Sequence, residues 1–223
     1  KPNDWGEDEF SASIADMYPS NVTQTETRTG ADGSFSLKGL SPDQYQLLIE
    51  GSGFTRTSKL DVSVTGGSKG IGIAVARRFA GAGAKVAILA RGAADLKAAR
   101  EELGKEGLKV SDYVCDVSKA ADIAKAHEKI VADLGPVDIL VNNAGTARTM
   151  AFENISDEAW QEDLDLKLFA AIRFSRLVWP GRKARRCGRI INVLNTYAKA
   201  PAASSAPTSV SRAAGMALTK VMA

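Results

Sequence analysis

The chain has 223 residues, 44% hydrophobic and 25% charged, enough to bury one full core with room for a small second module. Its 29 basic and 26 acidic side chains leave a net charge of +3, too small a surplus to steer it onto a nucleic acid or an anionic membrane. One histidine, His127, and two cysteines without ligand spacing, Cys115 and Cys187, exclude a multi-histidine metal site; the thiols read as reduced and buried or partly buried, which favours the cytoplasm.

No apolar run approaches the ~18 residues of a membrane span, and no basic-then-apolar leader is present. The chain opens on Lys1 rather than Met, as expected of a fragment or a processed piece.

The first 61 residues are polar and turn-rich. Short alternating runs at Phe35–Leu37 and Tyr45–Ile49 are separated by Asp32-Gly33 and Pro42-Asp43 turns, which predicts antiparallel strands. The stretch Ala31–Phe54, with its DG turn, F-x-L strand, G-L-x-P-x-x-Y turn and closing G-F, resembles part of a carboxypeptidase-regulatory-like β-sandwich. No opening strand is read between Lys1 and Val22. Residues 1–61 are therefore expected to form a partial sandwich-like module or an arm.

From Val62 the texture changes. Helical spacing runs over Ile71–Ala82, Ala93–Glu106, Ala120–Leu134, Asp157–Trp179 and Val210–Met222, and alternates with aliphatic strands at Lys85–Leu89, Leu108–Tyr113, Val137–Val141 and Arg189–Val193. Strands separated by helices of ten or more residues are βαβ units, which need a parallel sheet covered on both faces. Residues 62–223 are expected to form a doubly wound, Rossmann-like α/β domain.

The sharpest motif is Thr65-Gly66-Gly67-Ser68-Lys69-Gly70-Ile71-Gly72, after an aliphatic strand and at the start of a helix. Gly66 allows the tight turn, Gly70 the approach of backbone to a diphosphate, and Gly72 close packing of helix on strand. The segment is similar to the T-G-x-x-x-G-x-G of short-chain dehydrogenases. Asn142-Asn143-Ala144-Gly145 matches that family's N-N-A-G, and Cys115-Asp116-Val117 resembles its adenine-contacting turn. The resemblance covers residues 62–223 and implies a nicotinamide coenzyme held by Gly66, Ser68, Lys69, Gly70, Ile71, Gly72, Arg91, Asp116, Val117, Asn143, Ala144 and Gly145. It also implies a chain cut short of the family's last strands. The strand Lys85–Leu89 is followed by Ala90-Arg91, without a carboxylate for the ribose hydroxyls of NAD(H). With Lys69 in the glycine loop, this predicts NADP(H) over NAD(H).

The resemblance further implies a tyrosine acid, a lysine four residues on, a serine thirteen upstream and a helix asparagine. At the matching positions stand Thr208, Arg212, Asn195 and Lys167. Arg212 can still present a cation and Asn195 a hydrogen bond, whereas Thr208 is far less acidic than a phenol. Lys167, if desolvated, could replace the acid. Tyr197, two residues from Lys199 and fifteen from Arg212, lacks the spacing of that pair.

Several features read as structural. His127 is expected at the solvent, Gly181–Arg189 as the turn after the long helix, and Trp160 and Trp179 as core or dimer contacts. The triplets starting at Asn21 and Asn154 fit glycosylation acceptors only as chance matches. The predicted function is an NADP(H)-dependent oxidoreductase acting on a small-molecule carbonyl or secondary alcohol, with self-association through residues 157–179. The alternatives are a catalytically silent dinucleotide-binding protein and a surface binding module defined by the first 61 residues.

Overall fold

Three strands, β1 (Phe10–Ala15), β2 (Thr25–Arg28) and β3 (Gln46–Gly51), form an antiparallel sheet in the order β2-β1-β3. Ala12 of β1 stands opposite both Thr27 and Ile49. A strand before Val22 is thus present, contrary to the sequence reading. Phe10, Ala12 and Ile14 alternate with Ser11 and Ser13, the period of two that marks a strand. The computed structural model describes residues 10–15, 25–28, 46–51 and 60–223. The expected strand at Phe35–Leu37 lies outside these. By internal contacts the chain divides into two units, Lys1–Thr57 and Ser58–Ala223.

The second unit opens with β4 (Asp61–Thr65) and α1 (Gly70–Gly81), followed by β5 (Lys85–Ala90), α2 (Ala93–Lys105), β6 (Val110–Val114), α3 (Ala120–Asp133) and β7 (Ile139–Asn142). A short β8 (Thr149–Met150) then leads to α4 (Asp157–Leu164), a π-helical turn at Asp165–Phe169, and α5 (Ala170–Arg185). The last elements are β9 (Arg189–Asn192), a 3₁₀ turn at Thr196–Ala198, β10 (Ala206–Pro207) and α6 (Thr208–Met222).

Five parallel strands lie in the order β6-β5-β4-β7-β9, so the winding reverses between β4 and β7. In open sheets of this kind the crevice beyond the strand ends at that reversal is where ligands bind. Side-chain alternation along β5 explains the two cores. Val86 and Ile88 pack with Ile73 and Ala76 of α1 and Leu96 and Leu103 of α2. Ala87 and Leu89 face the other way, toward Ile123 and Ile130 of α3 and Phe174 and Val178 of α5. A strand apolar on both faces is what a parallel sheet between two helical layers requires. Burying each Leu, Ile, Val or Phe of this set contributes about 1.5–3 kcal/mol.

Two helical expectations are corrected. The single helix expected over Asp157–Trp179 is interrupted by the π-helical turn, in which the Ala170 N–H bonds back to the Asp165 carbonyl. Helix α5 then continues through Pro180 to Arg185, although a proline inside a helix removes one backbone bond. Phe174 and Val178 anchor it in the core, and Arg182, Lys183 and Arg185 in its last turn complement the negative end of the helix dipole. Two side chains also differ from expectation: Cys187 is exposed, and His127 is half-buried, its pKa lowered by burial against a weaker opposing effect of Glu128. Among the described residues, no helix is long and apolar enough to cross a membrane.

Candidate active site

The loops after β4 and β7 are tied together by one hydroxyl and one amide. Thr65 Oγ1 accepts hydrogen bonds from the backbone N–H of Asn143 (2.9 Å) and Ala144 (3.1 Å) and donates to the Val141 carbonyl (3.3 Å). Asn143 Nδ2 returns two bonds, to the carbonyls of Thr65 (3.1 Å) and Gly66 (3.2 Å). The paired motifs of the sequence are therefore one structural unit at the reversal of the sheet.

Inside that unit the glycines are sterically required. Gly66 turns the chain at φ +64, and a β-carbon on it would meet the Ala144 Cα at 3.0 Å. A β-carbon on Gly72 would stand 2.1 Å from the Gly66 carbonyl oxygen and 2.7 Å from Asn143 Nδ2. Gly70, at φ +55, faces open space. Helix α1 begins here with neither a side-chain cap at Lys69 nor an acidic residue in its first turn. Its N–H groups and the positive end of its dipole are thus left to an incoming anion. Ser68 is half-buried, and Ile71 is 62% exposed, an apolar surface beside that anion position.

Cations and carboxylates rim the crevice. Arg91 follows β5 and is exposed, and Lys69 pairs with Asp95 at 2.9 Å with both side chains largely in solvent, a contact of little energy. Asp116 Oδ1 accepts from the N–H (3.1 Å) and hydroxyl (2.7 Å) of Ser118. Burial raises the Asp116 pKa, but these bonds and the charges of Arg91 and Lys119 outweigh it, so the carboxyl titrates below its ordinary value. Val117 beside it is buried in the core. A cavity of about 560 Å³ opens here, with Arg91, Asp116, Ser118, Arg148, Asp163 and Asp165 on its walls.

Three of the four positions singled out for catalysis converge. Lys167 lies in the π-helical turn, its side chain 0% exposed, paired with Asp163. It also donates to the Thr208 hydroxyl at 2.7 Å. That hydroxyl accepts from the Arg148 N–H at 3.0 Å and donates to the Arg148 carbonyl at 2.9 Å. Burial lowers the Lys167 pKa; Asp163 opposes this, while Arg212 and Arg148 add to it. Arg212 donates to the Val193 carbonyl at 2.7 Å, and a β-carbon on Gly145 would lie 2.5 Å from its Nη2. Its Nε is buried without a hydrogen-bond partner, a donor in need of an acceptor. Asn195 stands apart, exposed at the start of the 3₁₀ turn, as does exposed Tyr197.

Sequence reasoning missed Asp163 and Ser211. Asp163 is 3% exposed, and its Oδ2 accepts from the Ser211 hydroxyl at 2.6 Å. The spacing of four between Asp163 and Lys167 was the available clue.

Residues 61–223 match the family model described as short chain dehydrogenase. The chain belongs to the short chain dehydrogenase family. Among its relatives in that family is D-beta-hydroxybutyrate dehydrogenase of Cupriavidus necator, 38% identical over 136 residues that cover 60% of this chain and 52% of the relative. Two solved members of similar fold are NADPH complexes. One is an actinorhodin polyketide ketoreductase variant, with TM-score 0.71, 32% identity, and coverage of 74% of this chain and 64% of that one. The other is a short chain oxidoreductase of Pseudomonas aeruginosa PAO1 described as containing an atypical catalytic center. Its TM-score is 0.70, its identity 37%, and the match covers 74% of this chain and 66% of that one. The present short chain dehydrogenase thus spans about half to two thirds of the length of these relatives.

Proposed function

We propose that this chain binds NADP(H) and interconverts a small-molecule carbonyl and its alcohol. The observation that carries the reading is the buried, unpartnered Nε of Arg212 beside the two loops that Thr65 and Asn143 lock together. A glycine cradle without β-carbons, an uncapped helix start and a donor lacking an acceptor suit a diphosphate and a ribose hydroxyl.

In this reading Gly66, Ser68, Gly70, Ile71 and Gly72 line the diphosphate, and Lys69 and Arg91 meet a 2′-phosphate. Asp116 and Val117 border the adenine. Asn143, Ala144, Gly145 and Arg212 hold the nicotinamide half. The bound coenzyme supplies a hydride, and the chain's own residues orient the carbonyl and manage its proton. Copies would associate through residues 157–179, where Trp179 of α5 is 41% exposed.

The test is isothermal titration with NADPH and NADH side by side. NADPH should bind at least about tenfold more tightly, and Arg91→Ala should remove about that factor, since a charged hydrogen bond contributes about 1.5–3 kcal/mol. Equal affinities would sink the NADP(H) preference; no binding of either would sink the reading. A second reading, a silent dinucleotide-binding protein, is favoured by the three hydrogen bonds that already occupy Thr208. Tight NADPH binding without oxidation by any member of a carbonyl panel would support it.

A further inference from the structure

We propose that the groove between α5 and α6 binds an apolar monocarboxylic acid, at a site separate from the coenzyme crevice and independent of the oxidoreductase reading above.

Sequence spacing builds the groove. Ile172, Ser175, Arg176 and Trp179 stand at i, i+3, i+4 and i+7 of α5, and Leu218 and Val221 at i and i+3 of α6, so each set lies on one face of its helix. Together they line a groove of about 370 Å³, within the range of roughly 300–1,000 Å³ typical of small-molecule sites. It shares no lining residue with the cavity that holds Arg91, Asp116 and Arg148.

Two polar groups on the α5 wall are left without partners. Ser175 is 3% exposed, the most buried of the lining residues, and its hydroxyl makes no hydrogen bond. A serine inside a helix commonly bonds back to the carbonyl one turn earlier, and a buried hydroxyl that does not do so carries a cost that an acceptor in the groove would remove. Arg176, next in the chain, is exposed and is the single charged residue on the walls. Among the described residues it pairs with no carboxylate.

A hydroxyl donor beside an unpaired guanidinium calls for an anionic acceptor, and one carboxylate has oxygens for both. The rest of the wall, Ile172, Trp179, Leu218 and Val221, calls for an apolar tail. A sugar or a phosphate would strand polar atoms against these side chains, and a plain hydrocarbon would leave Ser175 and Arg176 unanswered. From Ser175 to Trp179 the helix advances about 6 Å, which suits a tail of medium length. Trp179 also belongs to the segment through which copies would associate, so acid and partner copy compete for it, and the acid favours separated chains.

The experiment titrates octanoate, with octanol as the neutral control, into the full chain by calorimetry and follows the fluorescence of Trp179, identified by its loss in Trp179→Phe. Octanoate should bind at one site about fivefold more tightly than octanol, and Arg176→Gln should remove about that factor, the upper end for an exposed ion pair. Leu218→Glu should abolish binding. Ser175→Ala should weaken octanoate yet raise the melting temperature by about 2–4 °C, because it deletes a buried group that lacks a partner; a hydroxyl with a purely structural role would change stability and leave affinity alone. Saturating NADPH should leave octanoate binding unchanged, and sedimentation velocity should show that octanoate dissociates any dimer. Equal affinity for octanoate and octanol, binding that survives Leu218→Glu, or no binding overturns the proposal. Competition with NADPH would place the acid in the coenzyme crevice and overturn it as well, and a dimer that octanoate neither binds nor dissociates would assign the groove to a second copy.

Discussion

The carbonyl oxygen of Gly66 lies 2.1 Å from the point where a side chain on Gly72 would begin. No rotamer relieves that contact, because both partners are backbone-fixed. Gly72→Ala must push α1 away from the loop after β4 at a cost of about 3 kcal/mol. A lowered urea midpoint together with lost NADPH binding is the expected result, and a variant that binds normally would refute the cradle.

Thr65→Val keeps shape and removes the hydroxyl that joins the two loops. The N–H groups of Asn143 and Ala144 then lose their acceptor. Leaving such groups unsatisfied costs about 1–3 kcal/mol. Denaturant unfolding should show a loss in this range, with faster amide exchange confined to residues 142–145.

The two thiols differ in accessibility. Cys187 is exposed, whereas Cys115 is buried and its pKa is pushed up to about 12, first by burial and then by the charges of Asp122 and Asp116. A thiol reagent at neutral pH should label one cysteine quickly and the other only on unfolding, because the thiolate is the reactive form. Peptide mapping that places the fast label on Cys115 would contradict the packing of β6 and α3.

Tyr113 links stability to alkaline pH. Its hydroxyl donates to Asp133 at 3.1 Å, and burial, followed by that bond and charge, raises its pKa from 10.0 to about 12. A folded pKa above the unfolded one stabilises below the unfolded value, and the contribution disappears as pH rises through the folded one. The wild-type urea midpoint should therefore fall between pH 10 and 12 more steeply than that of Tyr113→Phe. Parallel curves would show that the phenol is not held as described.

The parallel sheet was readable because a strand such as β5 is apolar on both faces and α1, α2 and α3 carry their period over three or more turns. Thr65, Asn143 and the glycines were readable because steric demands leave few residue types possible. The buried cluster was readable in part: the resemblance marked Lys167, Thr208 and Arg212, but only the folded chain shows Asp163 and Ser211 joining them and Thr208, 41 residues away, bonded to Lys167. Asn195 had the spacing of a site residue, yet spacing alone did not bring it to the cluster. Cys187 and His127 departed from expectation because exposure depends on which helix face a neighbour covers, which local composition does not encode.

The π-helical turn at Asp165–Phe169 adds one residue to a helix that would otherwise run on unbroken. One residue is about 100° of helical rotation, so α4 and α5 keep separate phases, and a wheel drawn through both misassigns one of them. The turn works as a phase shifter, setting the inward aim of Lys167 independently of the α5 face that grips the sheet. Deleting a residue from it would merge the two helices into one continuous rod and swing that ammonium out of register with its partners.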